Sequence, residues 1–294
     1  MGLRTLDGAS IQSLFDKYRS GSTLFETLDP PNFGTYNDDA EDEVAEIASL
    51  LYAIDQAGDR FRIVSLGAAP GEWSVKAERG YVMRKPDGDF QSINLEGDLD
   101  HVDMTNAFMA RNGANMAKHS IRYQVIADRD GFAYFPIINP ELDWGAGIAA
   151  VSENADDLDQ NITIDDAARA DRVNANGGKP LEFRTVEARS LETLLSEIGI
   201  VDYLHCDIQG AEKDVFPGQL AAMGKSVKLA CIATHAHAIE AVLVEAFEAA
   251  GWTPEGYYPC FMDEAGRTLK DGVYIWSNPK LAGIDASSAA TAEA

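Results

Sequence analysis

The sequence predicts an α/β fold, a doubly wound and mostly parallel sheet with an antiparallel C-terminal hairpin edge and an N-terminal helical cap. Three observations predict it. Short apolar runs of strand length alternate with stretches that carry apolar residues at three- and four-residue steps. The run Ile63, Val64 and Leu66 breaks at Gly67 into small residues closed by Pro70 and Gly71, the pattern of a buried strand feeding a tight turn and a helix. Two last apolar runs, near Gly256 to Phe261 and Gly272 to Trp276, flank the turn residues Asp263 to Gly266 and read as a hairpin.

Residues 1–60 form the expected cap, with helices over 9–18 and 41–58. In the second, Val44, Ile47, Leu51 and Ile54 share one face, and Asp38 and Asp39 complement the positive helix start. The Pro-rich segment from Asp29 to Tyr36 between them is irregular and offers Tyr36 as a wall for a substrate. The main domain spans 61–280. After the glycine turn come a second strand ending in Glu96, a helix from about Val102 to Arg111, and a third strand from Ile121 to Ala127 ending in Asp128. The pattern is lost over about 131–185, except for a hairpin strand at Phe132 to Phe135. This insertion, with Trp144 in a loop and a polar stretch rich in Asp and Asn, is expected to lie over the carboxyl edge of the sheet as a mobile lid. Leu191, Leu194, Leu195 and Ile198 then mark a helix. A fourth strand runs from Ile200 to Asp207, a fifth from Val227 to Ala233 leading into Thr234, His235 and His237, and a helix bearing Ile239, Leu243 and Phe247 stops at Gly251. Residues 281–294 are small and polar, the composition of a disordered tail.

The first turn bounds the ligand. A dinucleotide fingerprint needs glycines where Ala69 and Glu72 stand, and a P-loop needs Gly-Lys where Glu72 and Trp73 stand. An acidic Glu72 at the turn's exit also repels a pyrophosphate. A nucleoside cofactor without phosphates fits better, and S-adenosylmethionine (SAM) is one. Gly67, Ala68, Ala69 and Gly71 are its expected cradle. Glu96, at the end of the second strand, is placed to accept hydrogen bonds from the two ribose hydroxyls, and Asp128 from the adenine amino group.

Composition narrows the partner. With 48 acidic and 24 basic residues the net charge is −24, which repels nucleic-acid phosphates and anionic lipid and favours a small-molecule partner. Cys206, Cys231 and Cys260 are odd in number and lack a C-x-x-C pair, against a disulfide framework or a structural zinc ribbon. No apolar run reaches the length of a membrane span, and the expectation is a cytoplasmic protein.

From His205 the chain reads His-Cys-Asp207-Ile-Gln209-Gly210-Ala211-Glu212. This resembles the Lys-Ile-Asp-Val-Glu-Gly-Ala-Glu pattern of FkbM-type SAM-dependent methyltransferases, supported by Arg189-Ser190-Leu191 before it and Thr234-His235 after it. His205 and Gln209 depart from the pattern, standing where that family carries Lys and Glu. The resemblance implies a Rossmann-like methyltransferase sheet and O-methylation of a hydroxyl on a sugar or secondary metabolite. His235 is then the expected general base, with an imidazole pKa near its free value of about 6.5, and Asp207 its orienting partner. Gln209, Tyr36 and Trp144 are expected to meet the substrate. A divalent metal held by Asp207, Glu212, His235 and His237 is the rival mechanism. The loop from Leu66 to Gly71 also resembles that of FtsJ-type ribose methyltransferases, whose catalytic lysine and basic surface are missing here. A SAM-binding module without catalysis is the other alternative.

Overall fold

The computed structural model describes residues 41–137, 147–157, 182–264 and 268–281. The expected first helix, Tyr36, Trp144 and the tail beyond residue 281 lie outside these. The helix expected over 41–58 is α1 (Glu41–Gln56), which packs on one face of the main sheet. It is followed by β1 (Arg60–Leu66), α2 (Glu72–Arg84), β2 (Asp89–Glu96), α3 (Leu99–Arg111), β3 (His119–Tyr123) and β4 (Val125–Ala127). Next come β5 (Gly131–Ile137), β6 (Ala150–Ser152), β7 (Glu182–Ser190), α4 (Leu191–Ile198), β8 (Val201–Cys206), α5 (Glu212–Ser226), β9 (Val227–Thr234) and α6 (His237–Ala249). The chain closes with β10 (Thr253–Tyr258), β11 (Phe261–Met262), β12 (Thr268–Lys270) and β13 (Gly272–Ser277).

Seven strands form the main sheet in the order β10-β13-β9-β8-β1-β2-β3. β1 pairs in parallel with β2 and β8, β2 with β3, and β8 with β9, whereas β13 runs antiparallel to both β9 and β10. The order reverses between β1 and β8, and the crevice above their carboxyl ends is where ligands bind such sheets. The doubly wound sheet with an antiparallel edge is therefore the fold the alternation predicts.

Period-two alternation divides the core between the two faces. Phe61 and Ile63 of β1, Tyr203 of β8 and Cys231 of β9 pack with Leu50, Leu51 and Ile54 of α1 and with Tyr81 of α2. Val64 and Leu66, Leu204 and Cys206, and Ala230 and Ile232 face the other way, toward Leu194 of α4, Phe216 of α5 and Leu243 and Phe247 of α6. Cys206, Cys231 and Cys260 are free thiols, all buried. Among the described residues no helix is long and apolar enough to cross a membrane.

One expected element divides in two. The run read as a single third strand pairs with β2 only as far as Tyr123, and Gln124 N–H donates to the Glu96 carbonyl at 3.1 Å where the chain peels away. Val125, Ile126 and Ala127 then pair with β7 in a second, four-stranded sheet of order β4-β7-β5-β6. Asp128 consequently follows a strand of this second sheet. The expected hairpin strand at Phe132 to Phe135 is real, but it belongs to a ladder over which Val125, Ala127, Ala133, Phe135, Val186 and Ala188 bury a small core of their own.

Candidate active site

The turn after β1 brings two strand ends together. Gly67 has φ +70°, a conformation that costs any side chain about 1 kcal/mol or more, and a Cβ there would sit 1.8 Å from the Asp207 carbonyl oxygen. Only glycine lets β1 end against β8. Gly71, at φ +92°, occupies the N-cap of α2, and Ala68 N–H is spent on the Leu95 carbonyl at 3.0 Å.

Beside this turn opens a cleft between the ends of β1, β2 and β8. Of the residues the sequence proposes, Gly67, Ala69, Glu96, Asp207 and Gln209 line it. Ala68 and Gly71 shape the turn behind it. The Glu96 carboxylate is 6 % exposed and is held by Ala69 N–H at 3.1 Å and Asp98 N–H at 2.9 Å, one bond to each oxygen. An acidic group fixed in this way meets a ligand hydroxyl without losing rotamer freedom on binding.

Sequence reasoning missed one wall of the cleft. Val125 and Ile126 of the peeling chain, Phe135 of β5 and Ile148 form an apolar side of the cleft, with the Gln124 amide beside them. Gly97 keeps that wall close, since a Cβ on it would lie 2.6 Å from both Phe135 and Val125. The glycine after Glu96 was the signal in the sequence. Asp128 is not on this wall; its carboxylate pairs with Arg129 at 2.9 Å on the surface. The peeling of the chain at Gln124 is the physical reason, because it carries residue 128 away from the main sheet. His101 on α3 also reaches the cleft, and although burial lowers its pKa, hydrogen bonding to Glu96 raises it further, for a net rise.

At the mouth of β8 and β9 four ionisable side chains meet. His235 Nε2 lies 3.2 Å from Asp207 Oδ1 and 3.8 Å from Asp271 Oδ2, while Nδ1 lies 3.1 Å from Glu212 Oε1. Glu212 is fully buried and accepts Ile208 N–H at 3.2 Å. Gln209, held at φ +54°, donates to Asp207 Oδ1 at 2.7 Å. Burial lowers the pKa of His235, but hydrogen bonding to Asp207 and Glu212 outweighs it and the value is pushed up to about 11. Burial conversely raises that of Asp207, and the imidazolium beside it holds the carboxyl below its usual range. The carboxylates around the ring favour its protonated form, which counts against the expected role of His235 as a general base near pH 6.5.

The expected metal set is also rearranged. His237 turns away, with Nδ1 2.8 Å from Glu240 Oε2 at the start of α6. Glu212 lies behind the imidazole, against its other nitrogen. Asp271, which precedes β13 and went unremarked in the sequence, instead joins Asp207 and His235 in a group whose ligand atoms lie within 4.8 Å of one another. Two carboxylates and an imidazole suit a divalent transition ion.

The His235 shift has a measurable consequence. Its folded-state pKa is raised, so its stabilising contribution is complete below the unfolded value of about 6.5 and is lost as pH rises through about 11. In chelator-stripped protein the stability difference between wild type and His235→Gln should shrink steadily over that window. Urea unfolding at intervals of pH measures it, and a difference that stays constant from pH 7 to 11 would mean the imidazole is not charged.

No family model matches the chain. Over 243 residues, 81 % of this chain and 80 % of its relative, it is 26 % identical to a protein of Jannaschia sp. (strain CCS1) that bears the provisional name of a methyltransferase. Among solved structures, an O-methyltransferase of Bacillus cereus in complex with SAH is similar with a TM-score of 0.42 and 10 % identity over 92 % of this chain and 97 % of that one. The methyltransferase FkbM of Methylobacillus flagellatus KT gives 0.39 and 10 % over 80 % and 60 %. By sequence, the chain is similar to a provisionally named methyltransferase along four fifths of both proteins.

Proposed function

We propose that the protein transfers a methyl group from SAM to a hydroxyl of a small molecule, a sugar or secondary metabolite. The observation that carries this is the buried Glu96 carboxylate, fixed by two backbone N–H groups in a cleft that runs from the Gly67 turn to Asp207. In this reading Glu96 accepts the ribose hydroxyls and Val125, Ile126 and Phe135 cover the adenine. Asp207 holds the acceptor hydroxyl by a hydrogen bond and orients its oxygen lone pair toward the methyl carbon. As the new C–O bond forms and the S–C bond breaks, the sulfonium becomes a neutral thioether and the alkylated oxygen becomes strongly acidic. A carboxylate with a lowered pKa suffices to take the proton at that late stage. The His235 imidazolium fixes Asp207 and is itself fixed from behind by Glu212. In a second, metal-dependent form of the same site, Asp207, Asp271 and the deprotonated imidazole of His235 would hold a divalent cation, which would take the place of the imidazolium proton and supply electrophilic activation of the acceptor oxygen.

The charge of −24 supports an acceptor other than RNA or DNA. Isothermal calorimetry with SAM, SAH and NADH, followed by methyl-transfer assays on a panel of hydroxylated metabolites with and without a chelator, tests the reading. SAM and SAH should bind and a hydroxylated acceptor should gain a methyl group. Binding of NADH in preference to SAM would replace the assignment with an oxidoreductase, and SAM binding with no turnover on any acceptor would favour a non-catalytic module.

A further inference from the structure

A second cluster of donor atoms lies beside β9, apart from the cleft. His237 and Glu240 stand three residues apart in the first turn of α6, and Cys260 enters from the corner between β10 and β11. His237 Nδ1 is 2.8 Å from Glu240 Oε2 and 3.3 Å from Cys260 Sγ, and all three ligand atoms lie within 4.8 Å of one another. We propose that His237 Nδ1, Glu240 Oε2 and Cys260 Sγ form a binding site for a Zn²⁺-class transition-metal ion, with a solvent molecule completing four-coordination.

The spacing is close to what such an ion requires. Bond lengths of about 2.3 Å to sulfur and about 2.0 to 2.2 Å to nitrogen and oxygen, at tetrahedral angles, set edges of about 3.6 Å for S···N and about 3.4 Å for N···O. The observed 3.3 and 2.8 Å need to open by about 0.3 and 0.6 Å. The ligands are also held from outside. Glu240 Oε1 accepts Cys260 N–H at 2.6 Å and the Thr234 hydroxyl at 3.3 Å, which leaves Oε2 to face the cluster. Supports of this kind orient metal ligands and tune their affinity. Cys260 is 3 % exposed, whereas the His237 side chain is 60 % exposed, so the sulfur is shielded and an ion can still enter from solvent.

The donor set selects the ion. One thiolate, one imidazole and one carboxylate suit Zn²⁺ and Co²⁺ and are poor for Mg²⁺ or Ca²⁺, which take oxygen. Binding deprotonates the Cys260 thiol: a metal–sulfur bond replaces the S–H bond, and the proton passes to solvent. No electron is transferred. A bound ion would tie the start of α6 to the β10–β11 corner, two residues from His235.

Sulfur makes the test specific. Full-length protein stripped of metal with a chelator and titrated with Co²⁺ should develop sulfur-to-cobalt charge-transfer absorption in the near ultraviolet and release one proton per ion. Added Zn²⁺ should abolish the band. Cys260→Ser should lack it, His237→Gln, at an exposed position, should bind Co²⁺ at least about tenfold more weakly, and Cys231→Ala should retain it. The group of Asp207, His235 and Asp271 contains no sulfur, so an ion there gives no such band. No charge-transfer absorption at saturating Co²⁺, or a band that persists in Cys260→Ser, would overturn the proposal whether or not the protein transfers methyl groups.

Discussion

Exchange of Asp207 for Asn is expected to lower kcat by about 10² to 10⁴-fold, the usual worth of a positioned proton acceptor, while SAM affinity changes by less than about threefold. The substitution keeps the volume of the side chain and its bond with Gln209, so the turn against Gly67, which contacts the backbone carbonyl of residue 207, is left in place. What is removed is the charge that orients the acceptor hydroxyl and takes its proton. The same charge is one of those that raise His235, so in this variant the imidazole should titrate at lower pH. An NMR titration of the ring reads that shift, and steady-state kinetics on the best acceptor reads the chemistry. Turnover within a factor of ten of wild type would remove Asp207 from the mechanism, even if the imidazole shift were observed.

The second large effect is expected at Glu96. A hydrogen bond to a charged group contributes about 1.5 to 3 kcal/mol, so Glu96→Gln should weaken SAM binding by about 10- to 150-fold. SAH shares the ribose and should lose affinity by the same factor, which distinguishes a ribose contact from one to the sulfonium. Because Glu96 also accepts from Ala69 and Asp98, thermal unfolding of the variant must be followed in parallel. Affinity for both ligands within twofold of wild type in a folded variant would show that the carboxylate serves only to brace the turn.

The sequence by itself determined the order of strands and helices, because core positions obey a period. Phe61, Ile63, Val64 and Leu66 alternate between two buried faces, and the apolar stripes of α1, α4 and α6 can be satisfied only by packing on a sheet. It also determined the Gly67 turn and the end of β2 at Glu96, since both depend on neighbours in the chain. Tertiary structure alone decided the rest of the site. The apolar wall of the cleft arises where the chain leaves the main sheet at Gln124 and pairs with β7 some sixty residues later, which no local pattern encodes. Asp271 meets His235 only because β13 pairs antiparallel to β9, and His237 is turned away because the first turn of α6 points it at Glu240 and Cys260. The raised pKa of His235 belongs to the same class, since a pKa follows from charges brought within about 4 Å by folding, and Asp207 from the turn after β8 and Glu212 from the start of α5 converge on that ring with Asp271 from just before β13.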